Sequence, residues 1–181
     1  ISGGEPGMRN DLPGLIAEAR RGGASEVTLE TNATLLDADR TRALHAAGLT
    51  LARVNLTAWG DALDAITRDP GGFDRTLAGI RALLDAGVAV EVSAVVIRAT
   101  LGSLGALPEQ LVNALGPSLR GLRVRVPTES PDPSQLVTYD EACAALSTAH
   151  ASARRAGLSF KLSPDSGPPP CFFPQPAAVS S

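Results

Sequence analysis

Three tripeptides, Ala47-Gly48-Leu49, Ala86-Gly87-Val88 and Ala156-Gly157-Leu158, each close a helical pattern and open a β-prone one. Glycine just past a helix ends it at no steric cost, because it can take a left-handed backbone. The echo therefore imposes an alternation of helix and strand along the whole chain. Strands separated in this way run parallel, and their crossovers are right-handed. The fold class is α/β.

Strands are predicted at the extreme N-terminus, where Ile1 and Ser2 stand, and over 26–32, 51–57, 88–98, 122–126 and 158–162. The Val95-Val96-Ile97 run suits a strand buried on both faces. Helices are predicted between them: Asn10 or Asp11 caps the first, with Leu12, Leu15, Ile16 and Ala19 inward. Asp37 caps the next. Phe73, Leu77, Ile80 and Leu84 mark a third, Leu104 to Leu115 a fourth, and Tyr139 to Arg155 the last. Residues 59–70 read as a polar helical turn with a loop. No dinucleotide-type glycine fingerprint follows the first strand. The expectation is thus a partial parallel (β/α) barrel of the TIM-barrel type, about six units, over residues 1–162. Residues 163–181, rich in Pro, Ser and Ala, read as a C-terminal tail.

Composition narrows the function classes. The 181 residues are 44% apolar and 19% charged with a net charge of −3, as expected of a folded globular chain. With one Trp, one Tyr and four Phe there is no basic, aromatic surface for nucleic acid. No apolar run is long enough to cross a bilayer, and a cytoplasmic location is expected. Cys143 and Cys171 lack CxxC spacing, so no disulfide framework or zinc site is expected. Cys143 reads as a small core residue. Cys171, in a prolyl loop, reads as structural or as a metal or cluster ligand. His45 and His150 fall on helices, away from the strand ends.

In a parallel barrel, ligands bind at the strand C-termini. Those ends carry Gly3-Gly4-Glu5, Thr31-Asn32, Asn55 and Thr57, Arg98, residues 127–129, and Ser163. Pro6 closes the glycine turn. Such a ring suits a zwitterion, with Glu5 for an ammonium, Arg98 for a carboxylate and Asn55 for hydroxyls. Each member also has a plainer role. Glu5 can be a solvated turn residue, Thr31-Asn32 a turn pair, Asn55 a cap, and Arg98 an ion-pair partner of Glu91 or Glu129.

The order of these motifs resembles a known family. Ile1-Ser2-Gly3-Gly4-Glu5-Pro6, Asp11-Leu12-Pro13 and Glu30-Thr31-Asn32 are similar to the second and third βα units of a radical S-adenosylmethionine (SAM) domain. The similarity continues through Arg53-Val54-Asn55-Leu56, Asp64-Ala65-Ile66-Thr67, Pro70-Gly71-Gly72-Phe73 and Gly79-Ile80-Arg81-Ala82-Leu83 to Val95-Val96-Ile97-Arg98. It covers roughly the first hundred residues. The resemblance implies that Gly3, Gly4, Glu5 and Pro6 bind the methionyl ammonium, and that Thr31, Asn32, Asn55 and Arg98 face the carboxylate and ribose. It also implies a [4Fe–4S] cluster held by three close cysteines on the loop after the first strand. This sequence has no such triplet, so the first unit, with its loop, is expected upstream of Ile1 and the cluster in the full-length protein only. Where the family often has Ser, and His or Asp two residues on, stand Asn55 and Thr57.

The function implied is the SAM-binding part of an enzyme that cleaves SAM reductively to a 5′-deoxyadenosyl radical and abstracts hydrogen from a substrate. An electron donor and a small-molecule or peptide substrate are the expected partners, and the chain alone is expected to be inactive. The alternative is a non-catalytic (β/α) barrel serving as a binding module. A third reading makes Glu5 and Glu129 an acid/base pair in an unrelated barrel enzyme.

Overall fold

The computed structural model describes residues 1–163. Helix α1 (Leu12–Arg21) leads to β1 (Thr28–Thr31), α2 (Ala38–Ala46), β2 (Leu51–Asn55), α3 (Asp61–Thr67) and α4 (Gly72–Asp85). Then come β3 (Ala89–Val95), α5 (Leu107–Leu115), β4 (Gly121–Arg125), α6 (Tyr139–Ala156) and β5 (Phe160–Leu162). The five strands are all parallel and lie in the order β1-β2-β3-β4-β5. Consecutive neighbours with crossovers of one hand put every helix on the same face of the sheet. A doubly wound sheet reverses its order partway, and this one does not. The alternation in the sequence thus yields an arc of barrel wall; within the described residues β1 and β5 are not paired.

Ile1 extends that arc. Its amino group donates to the Thr28 carbonyl at 2.6 Å, and its own carbonyl accepts the Glu30 amide at 2.9 Å. It occupies the strand position expected of the N-terminus.

Local signals account for the ends of α2 and α6. The Asp37 side chain accepts the Arg40 amide at 2.8 Å and starts α2. Thr138 and Glu141 form a reciprocal capping box at the start of α6, which Gly157 closes with φ +69°. Within α1, Leu12 and Ile16 are buried, but Leu15, expected inward, is exposed.

The strand over 88–98 differs from its expectation in two ways. It ends at Val95, and Arg98–Thr100 form a 3-10 turn. It is also not apolar on both faces. Val90, Val92 and Ala94 lie with Leu29, Ala52, Val54, Leu122 and Val124 in the fully buried layer under the helices. Glu91, Ser93 and Val95 point the other way, by the twofold period of a strand. A barrel wall has helices on its outer side only, so its inner side is free to carry polar residues.

Candidate active site

The inner face is a lattice of charge. Parallel register sets Glu30 beside Arg53 and Arg53 beside Glu91, with Arg123 two residues beyond Glu91's partner Gly121 and so on the same face of β4. Arg53 donates through Nη1 to Glu30 and through Nε to Glu91, both at 2.8 Å. Arg123 donates through Nε to the same Glu91 oxygen at 2.9 Å and through Nη2 to its other oxygen at 3.3 Å. Burial pushes the Glu91 carboxyl up, and the hydrogen bonds from Arg123 and Arg53 outweigh it, holding the group below its ordinary value.

Above this floor opens a cleft of about 700 Å³. Gly3, Gly4, Glu5, Thr31, Asn32 and Asn55 line it together with Ser163, so the structure brings most of the expected ring to one place. Sequence reasoning missed the floor: Glu30, Arg53, Ser93, Arg123 and Arg125 also line the cleft.

At one end, the first loop is tied to the end of β1. Glu5 Oε1 accepts the Gly7 amide at 2.8 Å and the Thr31 hydroxyl at 2.6 Å, while Oε2 accepts the Asn32 amide at 2.8 Å. A carboxylate has about four lone-pair positions, so acceptor capacity and a full negative charge remain. Gly3 and Gly4 have φ of +103° and +56°, and a Cβ on either meets no atom within 4 Å. Glycine is required there for backbone conformation, and the space beside it is open. Among the described residues, no hydrogen bond reaches the Gly3 or Gly4 carbonyl. Pro6 is buried inside the 3-10 turn Pro6–Met8 and shapes the loop from behind.

Asn32 is both a turn residue and a cleft residue. Its Oδ1 accepts from the Thr34 amide and hydroxyl, and its carbonyl accepts the Thr76 hydroxyl at 3.0 Å. Asn55 is exposed at the end of β2 and borders the cleft as well as a neighbouring cavity of about 240 Å³. That cavity is walled by Leu63, Ile66, Val95 and Ile97, with Thr57 beside them. The Thr57 hydroxyl donates to the Val95 carbonyl and accepts the Val95 amide, at 2.8 and 2.7 Å. It therefore clamps β2 to β3.

Arg98 is drawn elsewhere. Its guanidinium donates to both Glu141 oxygens, at 2.8 and 3.2 Å, and to the Leu136 carbonyl at 3.1 Å, and it does not line the cleft. Glu141, neither of the two partners expected from the sequence, wins because the turn after β3 faces the start of α6. Residues 127–129 likewise lie outside the cleft lining.

Cys143 is buried in α6, and Cys171 lies outside the described residues. Among the described residues no group of three or more His, Cys, Asp and Glu side chains is placed to hold a metal ion. The two cysteines of the sequence do not fit the three-thiolate demand of a [4Fe–4S] centre. No helix among the described residues is long and apolar enough to cross a membrane.

Known proteins share this sequence and fold. The chain is 38% identical over 90 residues to the Fe-coproporphyrin III synthase of Methanosarcina barkeri, a match covering 50% of this chain and 22% of that protein. It is 39% identical over 88 residues to a probable GTP 3′,8-cyclase of Metallosphaera sedula, covering 45% of this chain and 25% of the relative. The chain thus spans about a quarter of the length of these relatives. The crystal structure of Streptococcus suis SuiB bound to S-adenosylmethionine shares the fold, with a TM-score of 0.68 over 88% of this chain and 36% of that one, at 13% identity. The family model of the radical SAM superfamily matches residues 1–103, the segment holding Glu5, Thr31, Asn32 and Asn55. The chain belongs to the radical SAM superfamily.

Proposed function

We propose that this chain is the SAM-binding part of a radical SAM enzyme. One observation carries the reading: the Glu5 carboxylate is immobilised at the cleft wall beside two glycines whose carbonyls have no partner among the described residues. Such a set of acceptors matches a methionyl ammonium. Asn55, at the junction of the cleft and the smaller cavity, would take the ribose hydroxyls. The apolar walls formed by Leu63, Ile66, Val95 and Ile97 would take the adenine ring. Gly3, Gly4 and Pro6 would hold the loop in shape, and Thr31 and Asn32 would fix the carboxylate.

The superfamily implies SAM and a [4Fe–4S] cluster as cofactors. The chemistry proposed for the complete enzyme is reductive cleavage of SAM to a 5′-deoxyadenosyl radical and abstraction of hydrogen from a small-molecule or peptide substrate. An external donor would supply the electron. The residues of this chain do not supply the thiolates for the cluster, so the chain by itself is proposed to bind SAM without cleaving it.

Calorimetric titration of the chain with SAM tests this reading. Binding to the wild type with at least tenfold weaker binding to Glu5→Gln supports it, since losing a charge-assisted hydrogen bond is worth about 1.5–3 kcal/mol. Equal affinity of the two proteins refutes it.

A further inference from the structure

The cleft has two electrostatic poles. Glu5 and Glu30 stand on the β1 side, whereas Arg123 and Arg125 stand on β4, two residues apart and therefore on one face of that strand. Between β1 and β4 lie three strand intervals, about 14 Å along the sheet. Arg125 lines the cleft, and its guanidinium has no hydrogen bond or ion pair among the described residues, although its backbone carbonyl accepts the Val96 amide. Arg123 gives Nε and Nη2 to Glu91, which leaves Nη1 unengaged. Arg53 gives Nε to Glu91 and Nη1 to Glu30, which leaves Nη2 unengaged. Glu91, 5% exposed, is shared by Arg53 and Arg123, and Glu30 pairs with Arg53 as well, so these two carboxylates balance two guanidiniums and leave the charge of Arg125 unmatched among the described residues.

We infer that the β4 side of the cleft is an oxyanion subsite, in which Arg125 and Arg123 bind a carboxylate or phosphate group of the substrate. The inference rests on the SAM reading for the word substrate, and on the guanidiniums alone for the anion. SAM held by Glu5 cannot fill both poles with its methionyl end, because the ammonium and carboxylate of an amino acid share one carbon. The group at β4 therefore belongs to a second molecule. Glu91 acts there as a positioning residue: by engaging Arg123 on Nε and Nη2 it fixes the plane of that guanidinium. An oxyanion is the ligand class that matches, since paired N–H donors of planar guanidiniums fit two oxygens at once.

The test uses inorganic pyrophosphate and propane-1,2,3-tricarboxylate as probes, titrated into the chain at low salt and followed through the arginine side-chain N–H resonances and by calorimetry. At least one probe is expected to bind, and which one binds tells a phosphate from a carboxylate substrate. Arg125→Gln and Arg123→Gln should each weaken that probe about tenfold. Arg81→Gln, on the exposed side of α4, should not. Because the Arg125 side chain is exposed and engages nothing among the described residues, its variant should keep the wild-type melting temperature, and Arg125→Lys should recover part of the affinity. SAM titrations run in parallel separate the two ideas: Arg125→Gln should keep SAM affinity, and Glu5→Gln should lose it while keeping the anion. Failure of both probes to bind the wild type, or unchanged probe affinity in Arg125→Gln, overturns the subsite. So does an equal loss of SAM and probe in Arg125→Gln, since Arg125 would then serve SAM. Retained SAM affinity in Glu5→Gln overturns the SAM reading and leaves the anion site standing.

Discussion

The Thr31 hydroxyl donates to Glu5 Oε1 at 2.6 Å and accepts the Ala33 amide at 3.0 Å, so one side chain joins the N-terminal loop to the turn after β1. Thr31→Val keeps the shape and removes both bonds. It should cost about 1–2 kcal/mol of stability, because the buried Ala33 amide loses its acceptor. With Glu5 freer to turn, SAM affinity should fall about fivefold. Calorimetry beside a urea titration reads both, and a stability loss with intact affinity would reduce Thr31 to a purely structural role.

Gly79 holds the same turn from below. A Cβ there meets the Ala33 carbonyl oxygen at 2.1 Å, and Ala33 is already left-handed with φ +60°. Gly79→Ala must push α4 or the turn aside, at a cost of about 2–4 kcal/mol. Thr76 on the same helix donates to the Asn32 carbonyl, so the shift should reach Asn32. The expected result is a lower urea midpoint together with changed amide resonances for Asn32 and Thr31. A variant as stable as the wild type would show that α4 does not set the turn.

Glu91 lies at the crossing of the lattice. Removing its charge leaves Arg53 and Arg123 half-buried with weaker partners. Glu91→Gln should therefore destabilise by about 3 kcal/mol, the low end for broken buried pairs, because both guanidiniums keep some water. Arg123→Gln should cost less, since Glu91 retains Arg53. A double-mutant cycle measures the coupling, and additive losses would mean that the lattice is not a unit.

How much of this was legible beforehand follows from what each signal needs. Asp37 as a cap, Gly48, Gly87 and Gly157 as helix ends, and the parallel order are written in neighbouring residues. The rim residues Glu5, Thr31, Asn32 and Asn55 follow once strand ends are known. Arg53, Glu91 and Arg123 needed register, because each is separated from its partner by a whole βα unit. The signal was available in faint form: charged residues of alternating sign, Glu30, Arg53, Glu91 and Arg123, sit at inner-face steps of successive strands. The Val95-Val96-Ile97 run points to a strand buried on both faces and so conceals Glu91 among valines. Arg98 misled for the opposite reason. It follows the strand run directly and looked like a strand-end residue, whereas the chain turns after Val95 and carries it to Glu141.

Arg98 and Glu141 make the turn after β3 sensitive to pH. The side-chain hydrogen bonds from Arg98, with further bonds from the Thr138 amide and hydroxyl, hold the Glu141 carboxyl down at about 2, against an ordinary value of 4.5. A carboxyl with a depressed folded value contributes stability that is fully present above its unfolded value and is lost as the pH falls toward the folded one. Wild type should therefore exceed Arg98→Gln in urea midpoint at neutral pH, and the gap should narrow between about pH 4.5 and 2. Raising salt at neutral pH should also shrink it, since both side chains are exposed. Because Arg98 lies outside the cleft lining, Arg98→Gln should bind SAM within twofold of the wild type. Urea titrations across that pH range and one SAM titration suffice. A gap that stays constant with pH would mean that Arg98 stabilises the turn by packing or through the Leu136 carbonyl, and a large loss of SAM affinity would return Arg98 to the binding site.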